Sequence, residues 1–221
     1  MQKEIISWFS NIRFYILVMS VVISIGEYWY ISSISGSRAE MVYSLVQIYA
    51  FTAVTFLYLA LLAGPFAKMT RFTWRGKFVH ARRAIGVSAF FFAALHFRYA
   101  YFDILGGPIG VFKLPFQSFF GVALGQTALL ILFLMAVTSF DKVIAKMTFP
   151  KWKRLHQCVY LAGLAIFLHV SIMGSHFADK TGIIPLIYYT ATAILVGIHL
   201  YGLYKKRKFE KPREISPTVL Q

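Results

Sequence analysis

The sequence predicts an all-α integral membrane protein, a bundle of six transmembrane helices, and three observations carry that prediction. Of the 221 residues, 58% are hydrophobic, 18% aromatic and only 14% charged, with a mean hydropathy of +0.65, far from the balance of a soluble domain. Apolar stretches long enough to cross about 30 Å of hydrocarbon at about 1.5 Å per residue recur six times. Between them Lys and Arg alternate between crowded and sparse connections, the pattern that membrane insertion imposes.

The first apolar run, Phe14 to Gly26, continues through Glu27 into Tyr28, Trp29 and Tyr30, an aromatic group of the kind found where a helix leaves the hydrocarbon. These bulky residues do not resemble the small-residue site of a cleaved leader, so the segment reads as a retained helix. The second helix lies within Met41 to Ala67 and is expected to stop near Gly64-Pro65. The third starts after Arg82-Arg83 and runs to about Tyr101. A loop rich in glycine, Gly106 to Gly110, follows. Pro115 then precedes a fourth span ending near Phe140. The fifth runs from Trp152 to about Gly174, and the sixth lies within Thr181 to Tyr204. In domain terms this gives a cytoplasmic N-terminus over 1–12, a six-helix transmembrane domain over 13–204 and a basic tail over 205–221. No G-x-G-x-x-G after a strand, P-loop or solenoid repeat is present.

Of the 23 Lys and Arg residues, nineteen fall on the side that holds both termini, and four, Arg38, Arg98, Lys113 and Lys180, on the other. That bias predicts a multi-pass protein with both termini in the cytoplasm. It also accounts for most of the net charge of +15 without nucleic acid, and leaves a basic docking face for an acidic partner as the secondary reading. The single cysteine, Cys158, excludes an internal disulfide and a cysteine-based zinc cluster, and it reads as a small core side chain.

Histidines inside membrane helices are costly and mark candidate sites. His96 lies thirteen residues beyond Arg83 on the third helix and His169 fifteen beyond Arg154 on the fifth, so both sit about 20 to 22 Å from the cytoplasmic surface. Two imidazoles at one depth on parallel helices suit the two axial positions of a haem iron, with Ala93, Ala94, Ala162, Gly163 and Ala165 leaving space. The bland alternative is a pair of core histidines bonded to backbone carbonyls. His156 lies near the inner surface, where it would hold a second haem or sit at headgroup level, and His80 or His199 are its weaker partner candidates. His176 reads as a solvated loop residue. Arg82, Arg83, Lys153 and Arg154 are topology determinants on one reading; on the other they pair with haem propionates or a flavin phosphate.

The stretches R-R-A-I-G-V-S-A-F-F-F-A-A-L-H, from Arg82 to His96, and W-K-R-L-H-Q-C-V-Y, from Trp152 to Tyr160, with His169 further along, resemble the haem-binding membrane subunits of bacterial methionine sulfoxide reductase systems, the MsrQ/YedZ family. Lys113-x-Pro115, Thr138-Ser139 and P-L-I-Y at Pro185 to Tyr188 extend the likeness over roughly residues 40 to 205. The two-histidine helix is shared with the wider ferric-reductase-like superfamily. The resemblance implies a ferric-reductase-like transmembrane domain in the bacterial inner membrane. It implies haem b, in one or two copies, held by His96 and His169 with His156 as candidate ligand of a second, and FMN as a further candidate cofactor. Electrons would enter from a cytoplasmic flavin reductase or membrane quinol and leave to a periplasmic molybdopterin oxidoreductase. This chain departs from two-haem relatives in carrying Arg82 about fourteen residues before the third-helix ligand, where they have a histidine. A ferric reductase serving a small outer acceptor, with His176 near the exit, and a non-redox scaffold or transporter are the competing readings.

Overall fold

The computed structural model describes residues 2–69, 75–174 and 183–209, and all their regular structure is helical. The elements are α1 (Gln2–Ile34), α2 (Arg38–Met69), α3 (Arg75–Arg98), a π-helical turn (Tyr99–Ile104), α4 (Gly107–Phe112), α5 (Phe116–Val137), α6 (Asp141–Ile144), α7 (Phe149–Gln157), α8 (Val159–Met173) and α9 (Ile183–Phe209). Six stretches are long and apolar enough to cross a bilayer: Ile12–Ile34, Arg38–Gly64, Ala81–Ile104, Phe116–Val137, Phe149–Met173 and Pro185–Gly202. The chain is a multi-pass membrane protein.

Its packing is that of a protein dissolved in lipid. Large apolar side chains such as Phe51, Leu130, Leu164 and Leu200 face outward, while the three buried polar residues described, Ser20, Ser24 and Ser88, lie within the bundle. Lipid solvates leucine as well as a protein core does, so helices associate through close approach and internal hydrogen bonds. α3 occupies the middle, packed on α1, α2 and α5, and α5 in turn packs on α8. Ser20 Oγ of α1 donates to Ser88 Oγ of α3 at 2.7 Å. Phe92 of α3, wholly buried, stacks on Phe56 of α2 with ring centres 5.5 Å apart. α9 joins the bundle through Tyr58, which shares a short hydrogen bond with Thr192 and stacks on Tyr188.

Several boundaries differ from the sequence reading. α2 continues through Pro65 to Met69 rather than stopping at Gly64-Pro65; proline is tolerated in transmembrane helices because neighbouring groups satisfy the freed carbonyl. α3 begins at Arg75, ahead of Arg82-Arg83. α5 ends at Val137, three residues before Phe140. The fifth span is two helices, because at Cys158 the backbone N–H turns back to the Leu155 carbonyl at 3.0 Å. Beyond Arg98 the chain widens into the π-helical turn, with Leu105 N–H bonded to the Ala100 carbonyl five residues back. The glycine-rich loop contains α4. Gly106 enters it at φ 71°, and a Cβ on Gly110 would lie 1.5 Å from the Leu105 carbonyl oxygen, so no side chain fits there.

Ion pairs mark the two ends of the bundle. At one, Arg83 and Arg13 meet Asp141 at 2.7 and 3.4 Å; at the other, Arg38 and Arg98 flank Asp103.

Candidate functional site

α3 and α8 bring His96 and His169 together. Their ring centres stand 6.2 Å apart with the planes at 80°. Each ring is gripped by a helix other than its own. His96 Nδ1 lies 2.9 Å from the Val46 carbonyl on α2, and His169 Nδ1 lies 2.7 Å from the Gly121 carbonyl on α5. A carbonyl oxygen only accepts, so Nδ1 of each ring carries the hydrogen and donates it. In the neutral tautomer this leaves the lone pair on Nε2 of both rings, the arrangement by which an outer carbonyl orients a metal-binding imidazole.

α5 receives the His169 ring closely. A Cβ on Gly125 would lie 2.8 Å from Nδ1, 2.9 Å from Cε1 and 3.3 Å from Cγ of that imidazole. One turn earlier, a Cβ on Gly121 would meet Met173 Cγ at 2.8 Å and Ile172 Cγ2 at 2.9 Å. The pair is the small-xxx-small pattern that lets two membrane helices approach. Below it Ala128, Ala162 and Ala165 are buried between α5 and α8.

The surroundings of His156 are different. Its ring lies 4.2 Å from that of Trp152, one turn earlier on α7, and its Nε2 is 3.4 Å from Thr138 Oγ1. The indole N–H donates to the Thr138 carbonyl at 3.2 Å. His199 makes its contacts elsewhere, edge-on to Tyr160 with centres 5.3 Å apart and Nδ1 donating to its own helix at the Leu195 carbonyl. The described contacts thus do not pair His156 with His199. His80 lies on α3, but its side chain is outside the described residues, as is His176 altogether.

Arg83 is committed to protein partners, donating to the Ser139 carbonyl and to Asp141 Oδ1, both at 2.7 Å. Arg82 reaches over α2, where a Cβ on Gly64 would come within 3.2 Å of its Nη1. Arg154 is exposed. A small hollow of about 250 Å³ lies between Arg83, Ile144, Met147, Phe149 and Trp152. At the opposite end a wider one of about 610 Å³ is walled by Arg38, Val42, Tyr43 and the π-helical residues Phe102, Asp103 and Ile104. Val42 is one helical turn from Val46, whose carbonyl holds His96.

The family model described as the ferric reductase like transmembrane component matches residues 47–168. The chain belongs to this family. Within this ferric-reductase-like membrane domain the match takes in His96 and His156 and ends one residue before His169. Among curated relatives, the chain is 28% identical over 159 residues to the protein-methionine-sulfoxide reductase heme-binding subunit MsrQ of Herminiimonas arsenicoxydans, covering 69% of this chain and 67% of that protein. It is 28% identical over 178 residues to the MsrQ subunit of Agrobacterium fabrum, covering 78% of this chain and 76% of that one. It is also 32% identical over 155 residues to the magnetosome protein MamZ of Magnetospirillum gryphiswaldense; that covers 67% of this chain but spans only 22% of the longer protein. The chain is thus MsrQ-like.

Spacing along the sequence singled out both paired histidines but none of the groups that hold them. The Val46 and Gly121 carbonyls have no side-chain signature. The Gly121–Gly125 spacing was the one available signal that something approaches α5 closely there, and the four-residue interval from Trp152 to His156 likewise signals a stacked pair.

Proposed function

We propose that this protein is a haem-binding membrane subunit that carries electrons across a bacterial inner membrane to a methionine sulfoxide reductase-type oxidoreductase. The observation that carries this reading is the His96–His169 pair. Each imidazole has Nδ1 committed to a carbonyl and Nε2 left as a lone-pair donor, the neutral donor that a haem iron takes. The distance between these two rings is 6.2 Å. The residues fit the group, and bound haem b would supply one-electron chemistry between them.

In this reading His96 and His169 would hold the haem iron through Nε2, while the Val46 and Gly121 carbonyls fix tautomer and ring orientation from the flanking helices. Phe92 and Ala162, both wholly buried, keep water from the neighbourhood. His156, against Trp152, is the candidate ligand of a second haem at the cytoplasmic end, with Arg82, Arg83 and Arg154 as the candidate cationic side chains for its propionates. The basic end faces the cytoplasm together with both termini, and the donor is a flavin reductase, in which FMN would act, or membrane quinol. The acceptor in this reading is a periplasmic molybdopterin oxidoreductase; the names of the MsrQ relatives support its being a methionine sulfoxide reductase. A second reading, direct reduction of a small acceptor, is favoured by the 610 Å³ hollow one turn from the His96 anchor.

The test is made on the purified full-length protein. It should show a low-spin b-type spectrum that is reduced from the cytoplasmic side by a flavin reductase or quinol and reoxidised by a periplasmic methionine sulfoxide reductase. Reoxidation by small ferric chelates but not by that enzyme would favour the second reading, and the absence of any haem band would overturn both.

A further inference from the structure

We propose that Gly125 is a positioning residue for His169: by having no side chain it forms the seat that fixes the plane of the imidazole. The inference rests on the haem reading for its redox consequence, and on geometry alone for the seat itself. The His169 ring is held at one edge by the hydrogen bond from Nδ1 to the Gly121 carbonyl. Its Nδ1–Cε1 edge lies against the α carbon of Gly125, where a Cβ would stand at 2.8 and 2.9 Å from the two atoms. Separations under about 3 Å lie far inside carbon–carbon contact distance, so a methyl group there displaces something. The obstacle is a ring and not the loose end of a flexible chain, and the ring is tethered one turn away on the same helix. Moving α5 away from α8 as a whole would open the close seam at Gly121, where Met173 and Ile172 pack, and would itself stretch the Nδ1–Gly121 hydrogen bond. The imidazole must therefore rotate or break its bond to Gly121. Either change alters the angle between the two histidine planes, now 80°, which no residue on α3 or α8 sets alone.

Other helical glycines supply the control. A Cβ on Gly197 of α9 or Gly86 of α3 meets nothing within 4 Å, so the same substitution there adds a methyl group to open space. The experiment is a double-substitution cycle on the full-length protein in detergent, read by thermal melting and by low-temperature electron paramagnetic resonance. Gly125→Ala is expected to lower Tm by about 5 °C or more, with Gly197→Ala and Gly86→Ala unchanged. In a His169→Ala background, where the ring is gone, Gly125→Ala should shift Tm by less than about 1 °C. In the haem-loaded protein, Gly125→Ala should move the low-spin signal and the midpoint potential or release the haem, while the two control variants keep the wild-type signal. A Tm loss of the same size with and without the ring would mean that Gly125 serves helix packing only, and unchanged Tm and signal in Gly125→Ala would equally overturn the seat. Because the melting cycle needs no haem, coupling seen in melting without any haem spectrum would keep the seat and refute the haem reading instead.

Discussion

At the basic end of the bundle Asp141 accepts hydrogen bonds from Arg83 at 2.7 Å and from Arg13 at 3.4 Å. The Arg83 bond, chiefly, holds its carboxyl below the usual carboxylate range. A folded-state pKa below the unfolded one stabilises the fold at pH values above the unfolded pKa of about 3.9, and the contribution is lost as pH falls through the folded value. The side chain is 76% exposed, so solvent screens the pair and the effect is small. Asp141→Asn should therefore melt slightly below wild type at pH 6, and the gap should narrow as pH falls below about 3.9 toward the folded value. A gap that did not narrow with falling pH would show that the loss is one of shape and not of charge. The paired histidines are the other residue-scale result. Their common depth followed from counting helical rise, whereas their partners did not, because the groups they bond are backbone carbonyls that any residue carries.

At the scale of elements, α1 is tied to α3 by the buried Ser20–Ser88 hydrogen bond, and Ser88 also donates to the Ala84 carbonyl at 3.0 Å. Interhelical hydrogen bonds in membranes contribute about 0.6 kcal/mol on average and up to about 1.7. Ser20→Ala should cost an amount in that range in unfolding free energy, measured by SDS titration, while Ser32→Ala, whose hydroxyl bonds only the Trp29 carbonyl of its own helix, should cost less. Equal losses would remove the α1–α3 bond from the account. The six spans themselves were readable, since apolar length is the membrane's own requirement. The break at Cys158 and the π-helical turn after Arg98 were not. Both keep the apolar composition of their span and change only which carbonyl each N–H reaches, a choice made by tertiary contacts such as the stacking of Tyr99 on Tyr49.

Over the whole molecule, charge and chemistry are arranged along one axis. Lys142 to Arg154 concentrate positive charge at the end where Arg83 and Asp141 meet, and the histidine pair lies toward the opposite end. If a soluble acidic flavin donor meets the basic end, its encounter rate should fall as salt shortens the Debye length to about 8 Å at physiological ionic strength. Reversing charge at Lys151 and Lys153 should slow reduction in the same way. A rate indifferent to both would favour quinol arriving through the lipid. The central claim, that His96 and His169 together would hold one haem, is tested most directly by haem stoichiometry in purified His96→Ala and His169→Ala. Each variant should lose the same single haem, leaving any haem at His156 in place, and full haem retention in either would contradict the account.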